Sequence, residues 1–349
     1  MLLLLLTFTA CQSGKITLTR FDDSPIVDSL LAAAPHLVVN TDIEAERWGA
    51  TTKLGLSTDS LILGTPSNII AIGDSVYISE LFGNVFFAVG ADGYLSRKIG
   101  GAGKGPGEFT HLLGIQYNGS HVFIKDTDRV QVFTNKFEYV SSFSSSILTI
   151  YSFSVSPDYV FLQCADKDWL VCARSTSPPH DWISSIKLLP VLNLPDRSGE
   201  NVTMLTASPD GNRIAVAYTG LPYIFVYDNK FKHLRTIRFE GRIVRDFNPI
   251  AGPPEGAPGG MGPGTNMFIF MMKFINSRYL IARTPGNSNY VFDLSENDYK
   301  LVRKIILRPI NDAEERKDVV AADFLLHKDY LYVSSAWEEY VYGYAFELE

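Results

Sequence analysis

The sequence predicts an all-β fold: a six-bladed β-propeller of four-stranded antiparallel blades, its ring closed by an N-terminal strand that completes the last blade. Three observations predict it. Short runs rich in β-branched and aromatic residues, each bounded by Gly, Asp, Asn or Pro, fill the interior, with almost no window at helical spacing. A polar turn feeding an apolar strand recurs six times, at Asp74–Ile78, Ser120–Ile124, Asp158–Leu162, Asn212–Val216, Ser277–Ile281 and Lys328–Tyr332. The sixth unit reaches Glu349 with three strands, so a segment ahead of the first blade, within Lys53–Leu63, is expected to cover the open edge.

Met1 is followed by five leucines and then Thr7-Phe8-Thr9-Ala10-Cys11. The apolar stretch is shorter than the roughly 20 residues that span a bilayer, and residues 1–10 read as the back part of a signal peptide whose start lies upstream of Met1. Thr9-Ala10-Cys11 resembles the lipobox of bacterial lipoproteins. That resemblance implies lipidation at Cys11, a membrane attachment through the lipid anchor only, and a tether with an N-terminal segment over residues 11–52. An ordinary signal peptide with an incidental cysteine, or a non-secreted protein with an apolar start, is the alternative. The propeller is assigned to residues 53–349, and only Ser29–Ala34 and Ala313–Val319 read as helical, both short.

Most of the repeated units are preceded by an inner apolar run, as at Ile69–Ile72, Leu113–Gln116 and Phe268–Phe274. A third strand follows (Asn84–Phe87, Arg129–Phe133, Tyr223–Tyr227, Tyr290–Phe292, Tyr340–Tyr342) and then a fourth (Tyr94–Ile99, Tyr139–Phe143, Leu234–Phe239, Val302–Leu307). Four strands at a period of roughly 40–50 residues suit a propeller blade, which cannot bury both faces of its sheet alone. The fourth and fifth blades are separated by an insertion.

Composition excludes some partners. The chain has 349 residues, 46% hydrophobic and 20% charged, which is the make-up of a packed protein and not of a disordered one. With 31 Lys and Arg against 38 Asp and Glu, the net charge of −7 gives no electrostatic basis for binding nucleic acid.

Arg97-Lys98-Ile99-Gly100 followed by Gly101-Ala102-Gly103-Lys104-Gly105-Pro106-Gly107-Glu108-Phe109 resembles the inter-blade segment of NHL-like propellers, and especially the six-bladed TolB-like propeller lipoproteins of Bacteroides and relatives. The blade pattern covers about residues 50–349, with the Gly-rich segment well formed once. The resemblance implies a cell-envelope location, lipid-anchored, at the outer membrane and facing the periplasm. It implies little about chemistry.

Gly101–Gly107 does not fit a phosphate loop, because Lys104 is followed by Gly105 and no helix pattern comes next. The Pro- and Gly-rich segment Pro249–Gly264 reads as a long loop over the same face, either a ligand-gating lid or a passive insertion. Cys164 and Cys172 are a candidate disulfide if the register of the second and third strands of blade three sets them opposite each other; two unpaired thiols are the alternative. Six scattered histidines form no catalytic motif, and no cofactor is expected. Asn68, Gln116 and Asp323 are the candidate axial oxygen ligands, short of the about six to eight that calcium takes, so no metal is assigned.

The loops between second and third strands share a face with the inter-blade segments. They carry Glu80, Phe82, Lys125, Asp126, Arg129, Asp166, Trp169, Tyr218, Arg283, Trp337, Glu338 and Glu339, a mix suited to recognition. Glu80, Arg129, Tyr218, Arg283 and Trp337 are the candidate binding residues. The sequence thus reads as a rigid binding platform for a glycan, a peptide or an envelope protein. A propeller enzyme, a metal-dependent hydrolase or lyase with an axial-channel site, is the alternative, and a structural partner in an envelope assembly is a third reading.

Overall fold

The computed structural model describes residues 24–144, 153–163, 168–192, 201–248, 250–251, 264–295, 298–310, 318–335 and 337–347. Ahead of the blades come α1 (Pro25–Ala32), β1 (His36–Asn40), β2 (Glu46–Gly49) and β3 (Thr52–Leu54). Blade 1 is β4 (Pro66–Ile72), β5 (Ser75–Glu80), β6 (Val85–Val89) and β7 (Leu95–Gly100). Blade 2 is β8 (Gly114–Tyr117), β9 (His121–Lys125), β10 (Arg129–Thr134) and β11 (Tyr139–Ser144). Blade 3 is β12 (Phe153–Val155), β13 (Tyr159–Gln163), β14 (Trp169–Ser175) and β15 (Trp182–Pro190). Blade 4 is β16 (Thr203–Ala207), β17 (Arg213–Tyr218), β18 (Tyr223–Asp228) and β19 (His233–Glu240). The insertion holds α2 (Arg242–Asp246) and a short pair, β20 (Ile250–Ala251) and β21 (Gly264–Thr265). Blade 5 is β22 (Met271–Phe274), β23 (Tyr279–Thr284), β24 (Ser288–Asp293) and β25 (Lys300–Arg308). Blade 6 is β26 (Asp323–His327), β27 (Tyr330–Ser334) and β28 (Val341–Ala345), completed by β3.

The fold is thus the expected six-bladed propeller, and each of the six repeated sequence units is the second strand of a blade. Apolar residues on both faces of each sheet explain why the blades must stack. Six buried clusters lie between neighbouring blades, one per interface: Ile70, Phe86, Ile124 and Phe133 join blades 1 and 2, while Phe239, Phe274, Tyr290 and Phe292 belong to the junction of blades 4 and 5. The inner strands close a ring around the axis.

Ring closure is antiparallel, with Val341 opposite Leu54, Tyr342 opposite Lys53 and Gly343 opposite Thr52. The closing strand overlaps the expected Lys53–Leu63 only at its first residues. Gly343 allows the close approach, since a Cβ there would lie 2.4 Å from Thr52 Cγ2 and 2.9 Å from the Tyr332 ring.

The N-terminal segment does more than close the ring. Strand β1 joins β19 in parallel as a fifth strand of blade 4, and β2 joins β25 in parallel on blade 5. Val27 of α1 is buried in the cluster between blades 3 and 4, and Leu56 bridges to Tyr94 of blade 1. Residues 36–49, which the sequence reading places ahead of the propeller, are therefore paired into two of its blades. Helix α1 begins four residues before the expected Ser29–Ala34. At the other expected helix, residues 313–317 lie outside the described residues, and Asp318 and Val319 are not helical. Among the described residues no helix is long and apolar enough to cross a membrane.

Candidate functional site: the axial cavity and the connector face

Each inner strand lends one polar side chain to the axis: Asn68, Gln116, Ser154, Thr206, Lys273 and Asp323 all line a central cavity of about 110 Å³. Inner strands have no further strand beside them, and Ser154, Thr206, Lys273 and Asp323 supply bonds that such strands lack. Ser154 Oγ accepts the Ala207 N–H at 2.9 Å, Thr206 Oγ1 accepts the Phe274 N–H at 3.2 Å, and Asp323 Oδ2 accepts the Ile69 N–H at 3.0 Å, each linking one blade to the next. Lys273 Nζ lies 2.8 Å from both Asp323 oxygens and 3.3 Å from the Ile69 carbonyl oxygen.

Of this ring the sequence reading found Asn68, Gln116 and Asp323. It missed Lys273, which lies inside the expected inner run Phe268–Phe274 and within the observed strand Met271–Phe274. The available signal was one lysine inside the apolar run Phe268–Ile275. Among the described residues no group of three His, Cys, Asp or Glu side chains is arranged to hold a metal ion.

The candidate binding residues do not converge. Tyr218 is fully buried in the core between blades 3 and 4, its hydroxyl donating to the Pro190 carbonyl at 2.5 Å, so it cannot serve as a surface contact. Burial also pushes its hydroxyl pKa up.

Arg129 is spent on the glycine connector. It donates to the carbonyls of Lys104 at 2.5 Å, Gly105 at 3.2 Å and Glu108 at 3.0 Å, and pairs with Asp126 at 3.5 Å. Buried Asp126 accepts the N–H groups of Thr110, His111 and Thr127. The connector's own N–H groups are also taken, Gly103 by the Phe109 carbonyl, Gly105 by Glu108 and Gly107 by Gln131 Oε1, which accounts physically for why this glycine loop is a turn and not an anion cradle.

Glu80 Oε1 accepts the Gly64 N–H at 2.7 Å. The Arg283 guanidinium lies 4.9 Å from the Phe270 ring centroid. Trp337 is 72% exposed and stands apart from both cavities. Lys125, expected in an exposed loop, is buried, and desolvation lowers its pKa to about 8. Cys172 is disulfide-bonded and stands opposite Leu162 in the register; Cys164, like Cys11 and Asp166, lies outside the described residues.

The connector face carries a groove of about 790 Å³ over blades 4 and 5, which no sequence motif announced. Ile243, Phe247, Met267 and Phe270 form its apolar part, with Arg242 and Asn266 among its polar members. The walls are held from beneath. Phe247 meets buried Phe268 edge-on at 5.2 Å, and the Thr219 carbonyl accepts the N–H groups of both Phe268 and Ile269. Asn266 Nδ2 donates to the Asn248 carbonyl at 2.8 Å, while Asp42 of the N-terminal segment accepts the Arg242 N–H at 2.8 Å. Phe270 lines both the groove and the axial cavity. The loop expected at Pro249–Gly264 is described only at 250–251 and 264, where β20 pairs with β21.

Comparison with known proteins bears on the fold. The chain is similar to a Bacteroides fragilis protein described as exported (12% identity, TM-score 0.54, covering 90% of this chain and 100% of that one). It is also similar to a member of the DUF4221 family from Bacteroides vulgatus (11% identity, TM-score 0.53, covering 86% and 97%). At such identities the likeness shows a shared propeller architecture. No family profile and no curated protein matches the chain.

Proposed function

We propose that this chain is a binding platform of the cell envelope and that its ligand, an extended peptide segment with an apolar anchor side chain, seats in the groove over blades 4 and 5. The observation that carries this reading is the groove itself. Its volume falls within the roughly 300–1,000 Å³ of ligand pockets, and its apolar walls with a few polar groups are the usual make-up of one. Because Phe247 is held by packing on Phe268 and the Arg283 guanidinium lies over Phe270, little ordering entropy opposes binding. Ile243 and Met267 suit an aliphatic side chain better than a sugar face, which favours a peptide over a glycan.

Export agrees with the leucine-rich start and with the description of the Bacteroides fragilis relative. The finer reading, a TolB-like or NHL-like lipoprotein acylated at Cys11 and held at the periplasmic side of the outer membrane, rests on Thr9-Ala10-Cys11 and on the connector sequence. Pairing of Cys172 with Cys164 fits the export route.

The test is selection of a random peptide display library against the protein, followed by affinity measurement on a Phe247→Asp variant. Enriched peptides sharing an apolar anchor and binding the variant at least about tenfold more weakly support the reading. Enriched peptides indifferent to Phe247→Asp refute it. Acylation is tested separately by Cys11→Ala, which should move the protein out of the membrane fraction.

A further inference from the structure

The outer edges of the six blades are not treated alike. Blade 6 receives β3 as its outer strand, and blades 4 and 5 receive β1 and β2 as parallel fifth strands. The other three outer strands have no added strand among the described residues. Two of them carry devices that blunt an edge: β7 exposes Arg97 and Lys98, and β15 exposes Lys187 and ends in Pro190.

Strand β11 has neither. Tyr139-Val140-Ser141-Ser142-Phe143-Ser144 contains no charge and no proline, and its backbone is bonded only on the β10 side among the described residues. Tyr139 and Val140 are 43% and 40% exposed. Trp182 of blade 3 is exposed nearby, its ring 4.0 Å from the Arg174 guanidinium, which also lies over Phe143.

The chain itself shows that an outer strand can take a further one: β19, although it carries Arg235, Arg238 and Glu240, receives β1. In blade 4 the β10–β11 pairing pattern recurs in β18–β19, bulge included, which makes Ser142 the counterpart of Thr236. The Thr236 N–H points outward and donates to the Pro35 carbonyl, at the start of the added strand. Ser142 therefore turns its N–H outward in the same way.

We propose that β11 is a self-association edge, on which a second copy of this chain pairs its own β11 in antiparallel fashion about a two-fold axis. In an antiparallel two-fold contact residue i faces residue j and j faces i, with only the residue on the axis facing its own copy, so the like charges Arg97 and Lys98 of β7 would be set against each other whereas the charge-free β11, centred on Ser142, sets none. The strand is short and buries less than the roughly 1,200–2,000 Å² of a tight interface, so the dimer is weak and concentration-dependent. This inference is independent of the groove, which lies over other blades.

Sedimentation velocity of the purified protein from about 5 to 200 µM tests it. The expected result is a shift from monomer to dimer over that range, weakened at least about tenfold by Ser142→Lys at unchanged melting temperature. A mixture of Ser142→Lys and Ser142→Glu should recover the dimer, since the two edges then attract. Wild-type protein that stays monomeric throughout overturns the proposal, as does a dimer that Ser142→Lys leaves intact.

Discussion

The Lys273 ammonium sits 2.8 Å from both carboxylate oxygens of Asp323 at the propeller axis, each residue on the inner strand of its own blade. The Asp323 side chain is nearly fully buried and that of Lys273 mostly so. The pair joins blades 5 and 6 to each other, and through the Ile69 N–H and carbonyl joins both to blade 1.

Breaking this pair from one side is expected to cost more than removing it. Asp323→Ala leaves a buried ammonium without its counter-charge and should lose about 3–5 kcal/mol, whereas Lys273→Met with Asp323→Asn should lose clearly less. Urea unfolding of the single and double variants gives the comparison.

Gly343 tests ring closure. Gly343→Ala places a methyl group against Thr52 Cγ2 and the Tyr332 ring and should cost about 1–3 kcal/mol. Adding Thr52→Ser removes the nearest clash and should restore part of that loss, measured as a double-mutant cycle.

Arg129→Ala is expected to act on stability and on the connector. Loss of three bonds to the carbonyls of Lys104, Gly105 and Glu108 should cost about 1–3 kcal/mol and speed amide exchange across 101–111. Arg129→Lys should rescue little, because an ammonium cannot span the same fork of acceptors.

Acid stability carries a signature of Asp293. The Arg278 guanidinium bonded to its carboxylate holds the Asp293 pKa at about 2, below the ordinary aspartate value. Its contribution is therefore fully present above the unfolded value of about 4 and is lost as pH falls through about 2, because the unfolded chain takes up the proton first. Asp293→Asn should flatten that part of the stability-versus-pH curve; an unchanged slope would show that another group carries it.

The blades were legible because strand and turn signals are local. A turn such as Asp74-Ser75 followed by Val76-Tyr77-Ile78 announces itself without knowledge of its neighbours. The added strands were not: His36–Asn40 and Glu46–Gly49 pair in parallel with residues about 200 and 260 positions away, and no local pattern encodes such a pairing. The surroundings of Arg129 and Tyr218 were hidden for the same reason. Arg129 and Tyr218 are polar or amphipathic residues at strand ends, where composition suggests exposure, yet the Lys104–Glu108 carbonyls and the Pro190 carbonyl lie within reach only once the blades stack. The groove depends on Ile243, Phe247 and Met267, ordinary apolar residues in a connector, whose role follows from the burial of Phe268 beneath them.

That function resides in the groove and not at the axis is tested most directly by one affinity comparison on a selected peptide, using Phe247→Asp and the axial variant Lys273→Met with Asp323→Asn. The groove variant should weaken binding at least about tenfold and the axial variant leave it within about twofold. Binding lost in the axial variant and retained in Phe247→Asp would contradict the account.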